Sequence, residues 1–310
     1  MFCLVKNLNS KWNFFNDNRQ RLIFGILKPQ KMQPVYLYVK RSQEALDFAQ
    51  KVKDLIEKEG FKVVSDQPEV DFAEKIPSEE IKNCKLCVVV GGDGTFLAAA
   101  RKVAPLGVPI VGINLGRFGF LTEIERNEVE KILPMVLKGK VESQDRLVLE
   151  VFKENNEGRR YIGCAINDVV ISKSALARMI DISIDTSLGH LGTISGDGII
   201  VATPTGSTAY ALAAGGPIVY PTLNAKVLVP ICPHTLTQRP LVLAGPVSLT
   251  FTLKTDYSEV FLTLDGQIGE EITHKDKIIV QKAPFMLKVY PHPYRSYFDL
   301  VRIKLKWGKR

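Results

Sequence analysis

A chain of 310 residues, 45% of them hydrophobic, has material for a large core and, by its length, for about two domains. Its apolar runs fall short of the roughly 20 residues that a membrane-spanning helix needs, so a soluble protein without membrane contacts is expected. The formal charge of +8 does not point to a nucleic-acid partner, because residues 1–31 carry six Lys/Arg against the single Asp17 and leave +3 for the rest.

That N-terminal segment, rich in Asn and aromatics, has no clean periodicity. It lacks the apolar region and cleavage site of a signal peptide and the serines of a transit peptide, so it is expected to be a dispensable extension. From Pro34 strands and helices alternate. "VYLYV" (35–39) reads as a strand, followed by a helix over 42–60 with Ser42 as N-cap, Gly60 as terminator, and one face formed by Ala45, Phe48, Ala49, Val52, Leu55 and Ile56. Strands at 61–64, 86–90 and 109–114 and helices at 95–104 and 127–140 (the last kinked at Pro134) continue the pattern. Alternation of this kind implies a doubly wound parallel sheet. Five scattered cysteines suit a reducing cytoplasm. Cys84 and Cys87 form one C-x-x-C without the second pair that a zinc site needs, and they read as the lead-in to a buried strand. After about residue 145 short strands separated by turn residues dominate, from "RLVLEVFKE" to "FMLKVY". They imply an antiparallel, β-sandwich-like domain interrupted by one helix near 207–213 and closed by a helical stretch at 294–307.

Two stretches carry chemistry. GGDGT (91–95) joins the apolar "LCVVV" to a helix, the place where open α/β sheets gather ligands. Gly91, Gly92 and Gly94 let a backbone approach phosphate oxygens, and Thr95 can donate from the first helical turn. No Walker Lys follows, and Leu97 stands where a dinucleotide fingerprint has its third glycine. Asp93 then carries the distinctive chemistry: beside phosphates a carboxylate binds a metal or accepts a hydroxyl proton. The competing structural account is a tight turn capped by Asp. The second stretch, "GDGIIVATPTGSTAYALAAGGPIVYP" (196–221), sets Thr205, Ser207 and Thr208 near a helix start, a setting that suits ribose or phosphate. Caps and turns explain each piece of it but not the density of the whole. Histidines 190, 234, 274 and 292 lack ligand spacing and read as structural or surface residues.

GGDGT together with "DGIIVATPTGSTAYALAAGGPIV" resembles the NAD kinase family, and the likeness runs from about Met32 to the C-terminus. "GINLGRFGFL" (112–121), "NDVV" (167–170), "ARMI" (177–180), "LVPICPHTLTQRPLVL" (228–243) and "DGQ" (265–267) add to it. GGDG alone is shared with lipid kinases and phosphofructokinases, whereas TPTGSTAY narrows the resemblance. It implies Mg²⁺-dependent transfer of the γ-phosphoryl of ATP to the 2′-hydroxyl of the adenosine ribose of NAD. Asp93 is then the catalytic residue, as general base or metal organiser, with no metal ligand assigned among protein side chains. The same resemblance assigns NAD contacts to Asp93, Gly94, Phe120, Asn167, Asp168, Arg178, Ser195, Asp197, Thr208, Ala209, Tyr210, Ala211, Leu212, Ala213 and Gln267, and ATP contacts to Gly91, Gly92, Gly94 and Thr95. Asp168 stands where many relatives have Glu, and Ala213 where Ser is frequent. Without the family, "LDGQ" is an ordinary Asp-Gly hairpin turn and Arg178 a solvated charge.

The implied organisation is an extension (1–31), an α/β phosphate-binding domain (32–145) rejoined by 294–310, and a β-rich NAD-binding domain (146–293), assembled as a dimer or tetramer. A lipid or sugar kinase sharing only GGDG, and a non-catalytic NAD(P)-sensing protein, are the alternatives. The first lacks an acyl pocket in the β half, and the second would not need Asp93. ATP against polyphosphate and NAD against NADH stay open, with Ser195 at a position that tunes the second choice. Deleting residues 1–31 is expected to leave the melting temperature and NADP formation unchanged, which calorimetry and an activity assay on the truncated chain will check.

Overall fold

A computed structural model describes residues 33–308, apart from 117–118, 175–177, 236 and 257–258. The expectation for residues 1–31 lies outside these, as do parts of the "GINLGRFGFL", "ARMI" and "LVPICPHTLTQRPLVL" stretches. The continuous apolar strands Leu86–Gly91 and Ile110–Asn114 are buried along their whole length, the pattern of strands covered on both faces. They centre a sheet ordered Glu74–Lys75, Val63–Ser65, Val35–Val39, Leu86–Gly91, Ile110–Asn114, Leu287–Val289, Gln144–Arg146, with Ile124–Glu125 also pairing with Ile110–Asn114. All pairings are parallel except that of Gln144–Arg146. One face is covered by helix α1 (Gln43–Lys58), which buries Ala45, Phe48, Ala49, Val52 and Ile56 as its period predicts. Helix α2 (Asp93–Val103) covers the other face through Phe96, Leu97, Ala100 and Val103. Helix α3 (Val129–Leu137) joins α1 and carries Pro134 within it. The sheet is therefore doubly wound.

Twelve further strands form two six-stranded antiparallel sheets. Their inner faces share one core, in which Val169, Ile171, Val201 and Leu262 meet Val151, Ile182, Phe251 and Val280. This is the packing of a sandwich. Because side chains alternate along a strand, Val170, Ile200 and Val229 point outward from the first of these sheets, where Ala211 and Val219 cover them.

Three elements differ from expectation. The helix expected near 207–213 is a 3₁₀ turn (Gly206–Thr208) and a single α-turn, α4 (Tyr210–Ala213). Ala209, at φ −98° and ψ −130°, interrupts the helical backbone between them. "FMLKVY" supplies Leu287–Val289 to the parallel sheet rather than to the sandwich, with Val289 pairing with Ile110. Helix α5 (Tyr297–Leu305) is shorter than the expected 294–307, opens on a Ser296–Asp299 capping box and buries Leu300 and Val301, while Phe298 is 61% exposed.

The Thr203–Thr208 loop is seated on the sandwich by close backbone approach. Thr203 N–H donates to the Asn167 carbonyl at 2.8 Å and Thr203 Oγ1 to the Ile166 carbonyl at 2.6 Å. A Cβ on Gly206 would overlap the Asn167 carbonyl. Gly206→Ala is therefore expected to destabilise the protein by about 1–3 kcal/mol through overpacking, read as a fall in the denaturation midpoint at unchanged slope.

Candidate functional site

GGDGT straddles the junction of strand Leu86–Gly91 and α2, with Gly92 as the N-cap residue. Helix α2 begins two residues earlier than the sequence suggests, so Asp93 stands in its first turn. The three glycines have different reasons to be there. A Cβ at Gly91 would lie 2.6 Å from Thr95 Oγ1, so packing alone demands glycine. Gly92 has φ −114°, open to any residue, and nothing within 4 Å of a Cβ there. Only an incoming molecule would notice a side chain at Gly92. Gly94 is exposed, and a Cβ there would meet Gln267 Nε2 at an ordinary 3.5 Å.

The Asp93 carboxylate is held by a turn almost thirty residues away. Oδ2 accepts the Phe120 N–H at 2.9 Å. Oδ1 accepts the N–H groups of Leu121 (3.1 Å) and Thr122 (3.0 Å) and the Thr122 hydroxyl (3.0 Å). Thr122 Oγ1 in turn accepts from Asn114 Nδ2 at 2.7 Å, at the end of the central strand. A Cβ on Gly119 would collide with Asp93 Oδ1, so the turn requires glycine there. These contacts fix the carboxylate's orientation, and Oδ2, with a single partner, keeps a lone pair for a further proton or donor. Asn114, Gly119 and Thr122 were not singled out by sequence, although "GINLGRFGFL" includes the first two.

A second carboxylate sits at the start of strand Asp168–Lys173. Asp168 is buried, and burial, then the neighbouring Asp265, pushes its carboxyl up to about 7. Asp168 lines an open cleft with Asn167, Ala209, Tyr210, Asp265 and Gly266. Asn167 Oδ1 and Thr205 Oγ1 are buried with no hydrogen-bond partner among the described residues. Orphaned acceptors of this kind are costly unless a ligand or water satisfies them. The turn 265–267 joins the two carboxylates' surroundings: Asp265 accepts the Asn167 N–H at 2.7 Å, and Gln267 Nε2 donates to the Gly94 carbonyl at 2.9 Å. Gln267 is thus adjacent to the glycine turn, its amide already engaged.

The remaining candidates divide. Thr208 and Phe120 line a small neighbouring cavity, with the Lys304 ammonium 5.9 Å from the Phe120 ring centre. Thr208 Oγ1 donates to the Thr205 carbonyl at 3.3 Å. Thr95 is half-buried and Tyr210 exposed, with Leu212 and Ala213 beside it. Ala211 faces the core. Ser207 is fully buried, its hydroxyl donating to the Pro204 carbonyl and accepting the Val219 N–H, so it offers nothing to a ligand. Arg178, Ser195 and Asp197 lie elsewhere. Asp197 meets Lys173, five residues along the strand from Asp168, which is about 17 Å at strand rise. Ser195 donates to Asp181, and Arg178 sits exposed on the segment after that strand.

Comparison with known proteins places the whole chain. Residues 16–141 match the family model described as ATP-NAD kinase N-terminal domain, and residues 166–292 that of the ATP-NAD kinase C-terminal domain. An NAD kinase of Aquifex aeolicus is 42% identical over 277 residues, 89% of this chain and 100% of that one. An NAD kinase of Geotalea daltonii is 46% identical over 229 residues, 73% and 79% of the two chains. Among solved structures, an NAD kinase from Archaeoglobus fulgidus in complex with ATP superposes with a TM-score of 0.70 at 26% identity, covering 89% of this chain and 99% of that one. A yeast NADH kinase complexed with NADH shares the fold, with a TM-score of 0.82 at 23% identity over 91% and 89% of the chains. The glycine turn, the clamped Asp93 and the TPTGST loop thus stand in a chain whose likeness extends well beyond them: it belongs to the NAD kinase family.

Proposed function

We propose that this NAD kinase moves the γ-phosphoryl of ATP to the 2′-hydroxyl of the adenosine ribose of NAD, and that Asp93 and Asp168 divide the work. The observation that carries this reading is the pairing of an oriented, acceptor-only carboxylate at a glycine turn with a buried carboxylate across a single hairpin turn. Asp93 takes the proton of the ribose 2′-hydroxyl as its oxygen bonds to the γ-phosphorus, and the bond to ADP breaks. Gly92, Gly94 and the first turn of α2 lie along the triphosphate. Asp168 and Asn167 hold the ribose hydroxyls, with Tyr210 and Ala209 beside them. Among the described residues there is no group of three or more His, Cys, Asp or Glu placed to hold a metal, and both Asp93 oxygens face N–H donors. A protein cage for Mg²⁺ does not fit these residues, and no step is assigned to the ion.

A second reading concerns assembly. Asp197 meets Lys173, about 17 Å along the strand from Asp168, so Arg178, Ser195 and Asp197 can join the same ligand most simply from a second copy of the chain. This favours a homo-oligomer. The scattered cysteines, four of which are free among the described residues, favour the cytoplasm. No helix among the described residues is long and apolar enough to cross a membrane.

Asp93→Asn is expected to cut kcat by on the order of 10²–10⁴ while NAD still binds. Asp168→Ala is expected to raise KM for NAD by about 10- to 150-fold, the worth of one charged hydrogen bond, with the ATP constant much less affected. Because Asp168 is protonated below about 7, kcat/KM for NAD should rise as pH passes through that value, and Asp168→Asn should flatten the rise. Steady-state kinetics over pH, with calorimetric NAD binding, check all three. Loss of NAD binding in Asp93→Asn at unchanged turnover would reverse the roles.

Gly92→Ala isolates the donor side. Since nothing in the protein opposes a Cβ there, its melting temperature should equal that of the wild type while KM for ATP rises. An equal fall in melting temperature would assign Gly92 to folding instead.

A further inference from the structure

The hairpin turn Asp265–Gln267 does more than reverse the chain. Asp265 and Gly266 both take positive φ, 51° and 62°, as an Asp-Gly turn permits. The Asp265 side chain, however, is fully buried. Its Oδ1 accepts the N–H groups of Asn167 at 2.7 Å, Ile166 at 3.1 Å and Asp168 at 3.2 Å, and Asp265 N–H donates to the Asp168 carbonyl at 2.9 Å. Its Oδ2 receives Arg101 Nη1 at 2.6 Å, from the third turn of α2. The other arm of that guanidinium, Nη2, donates to Gln267 Oε1, and Gln267 Nε2 donates to the Gly94 carbonyl at 2.9 Å. One turn therefore grips α2 at two heights, near its N-terminus and near its end, and grips the backbone of residues 166–168 on its other side.

We infer that Arg101, Asp265 and Gln267 are positioning residues that set the distance between the phosphate-loop helix and the strand that begins at Asp168. The inference rests on the division of roles proposed for Asp93 and Asp168. Phosphoryl transfer needs donor and acceptor held in line, and a misplacement of about 1 Å costs roughly 10²-fold in rate. Each half keeps its own ligand contacts when the tether is cut, so each substrate still binds. What is lost is their mutual placement, which is realised only in turnover. A lysine at position 101 keeps a charge for Asp265 but has no fork with which to reach Gln267 as well.

The test compares full-length wild type, Gln267→Leu, Arg101→Met and Arg101→Lys, measuring NADP formation from NAD and ATP, the Kd of each substrate alone, and melting temperature. Gln267→Leu and Arg101→Met are expected to lower kcat by on the order of 10- to 100-fold with both Kd values held. Arg101→Lys is expected to recover part of the loss of Arg101→Met. Gln267 is exposed, so Gln267→Leu decides alone if Arg101→Met yields no folded protein. Unchanged kcat in an active background overturns the inference. So does a loss confined to the Kd of NAD, which would make Gln267 a direct ligand contact. A wild type that forms no NADP overturns the reading of the site itself, and the tether with it.

Discussion

A carboxylate sealed from water, Asp265, holds this site together, and the constraint it imposes runs in several directions. Burying a charge is costly unless it is paired and hydrogen-bonded. Asp265 meets that demand with one guanidinium and three backbone N–H groups. Those partners belong to α2 and to the segment that leads into Asp168, so satisfying one charge fixes the two elements against each other. Truncating any one of these partners would leave a buried group short of a donor, which makes the cluster cooperative rather than a sum of contacts.

The same arrangement shapes the chemistry of Asp168. It is away from solvent and beside Asp265, so its ionised form is disfavoured and its carboxyl is pushed up to about 7. Asp93 has different surroundings, with four donors around its oxygens. Two carboxylates of one residue type are thus held differently, one by hydrogen-bond donors and one by burial. Around Asp93, backbone N–H groups and the Thr122 hydroxyl take the place that a cationic side chain would fill.

Sequence made the fold class legible because the two textures differ. Continuous apolar strands between amphipathic helices give way near residue 145 to short alternating strands. GGDGT and TPTGSTAY were legible because so many glycines and hydroxyls in one place serve packing poorly. What holds Asp93 was not legible: the N–H groups of residues 120–122 carry no side-chain signature, and only the folded turn aims them. Asp265 was read as a hairpin turn, which it is, but the direction of its side chain depends on Arg101, 164 positions away. The helix expected through residue 209 fails for a similar reason. Local apolar spacing favours it, whereas the backbone approach of Gly206 to Asn167 requires a different path. Leu287–Val289, with two buried side chains in three residues, fits either kind of sheet equally well, and a vacant edge beside Ile110 decides the matter.

That last strand has a consequence for synthesis. The Ile110 end of the central parallel strand is paired on its outer side by Val289, with the Tyr290 N–H on the Ile110 carbonyl at 2.9 Å. Ribosomes add roughly 5–20 residues each second, so this edge waits roughly ten to thirty-five seconds between its own emergence and that of its partner. During that interval an apolar strand with open N–H and C=O groups is a template for foreign strands. The sandwich, whose last strand is Lys277–Lys282, must also be made before that edge is closed.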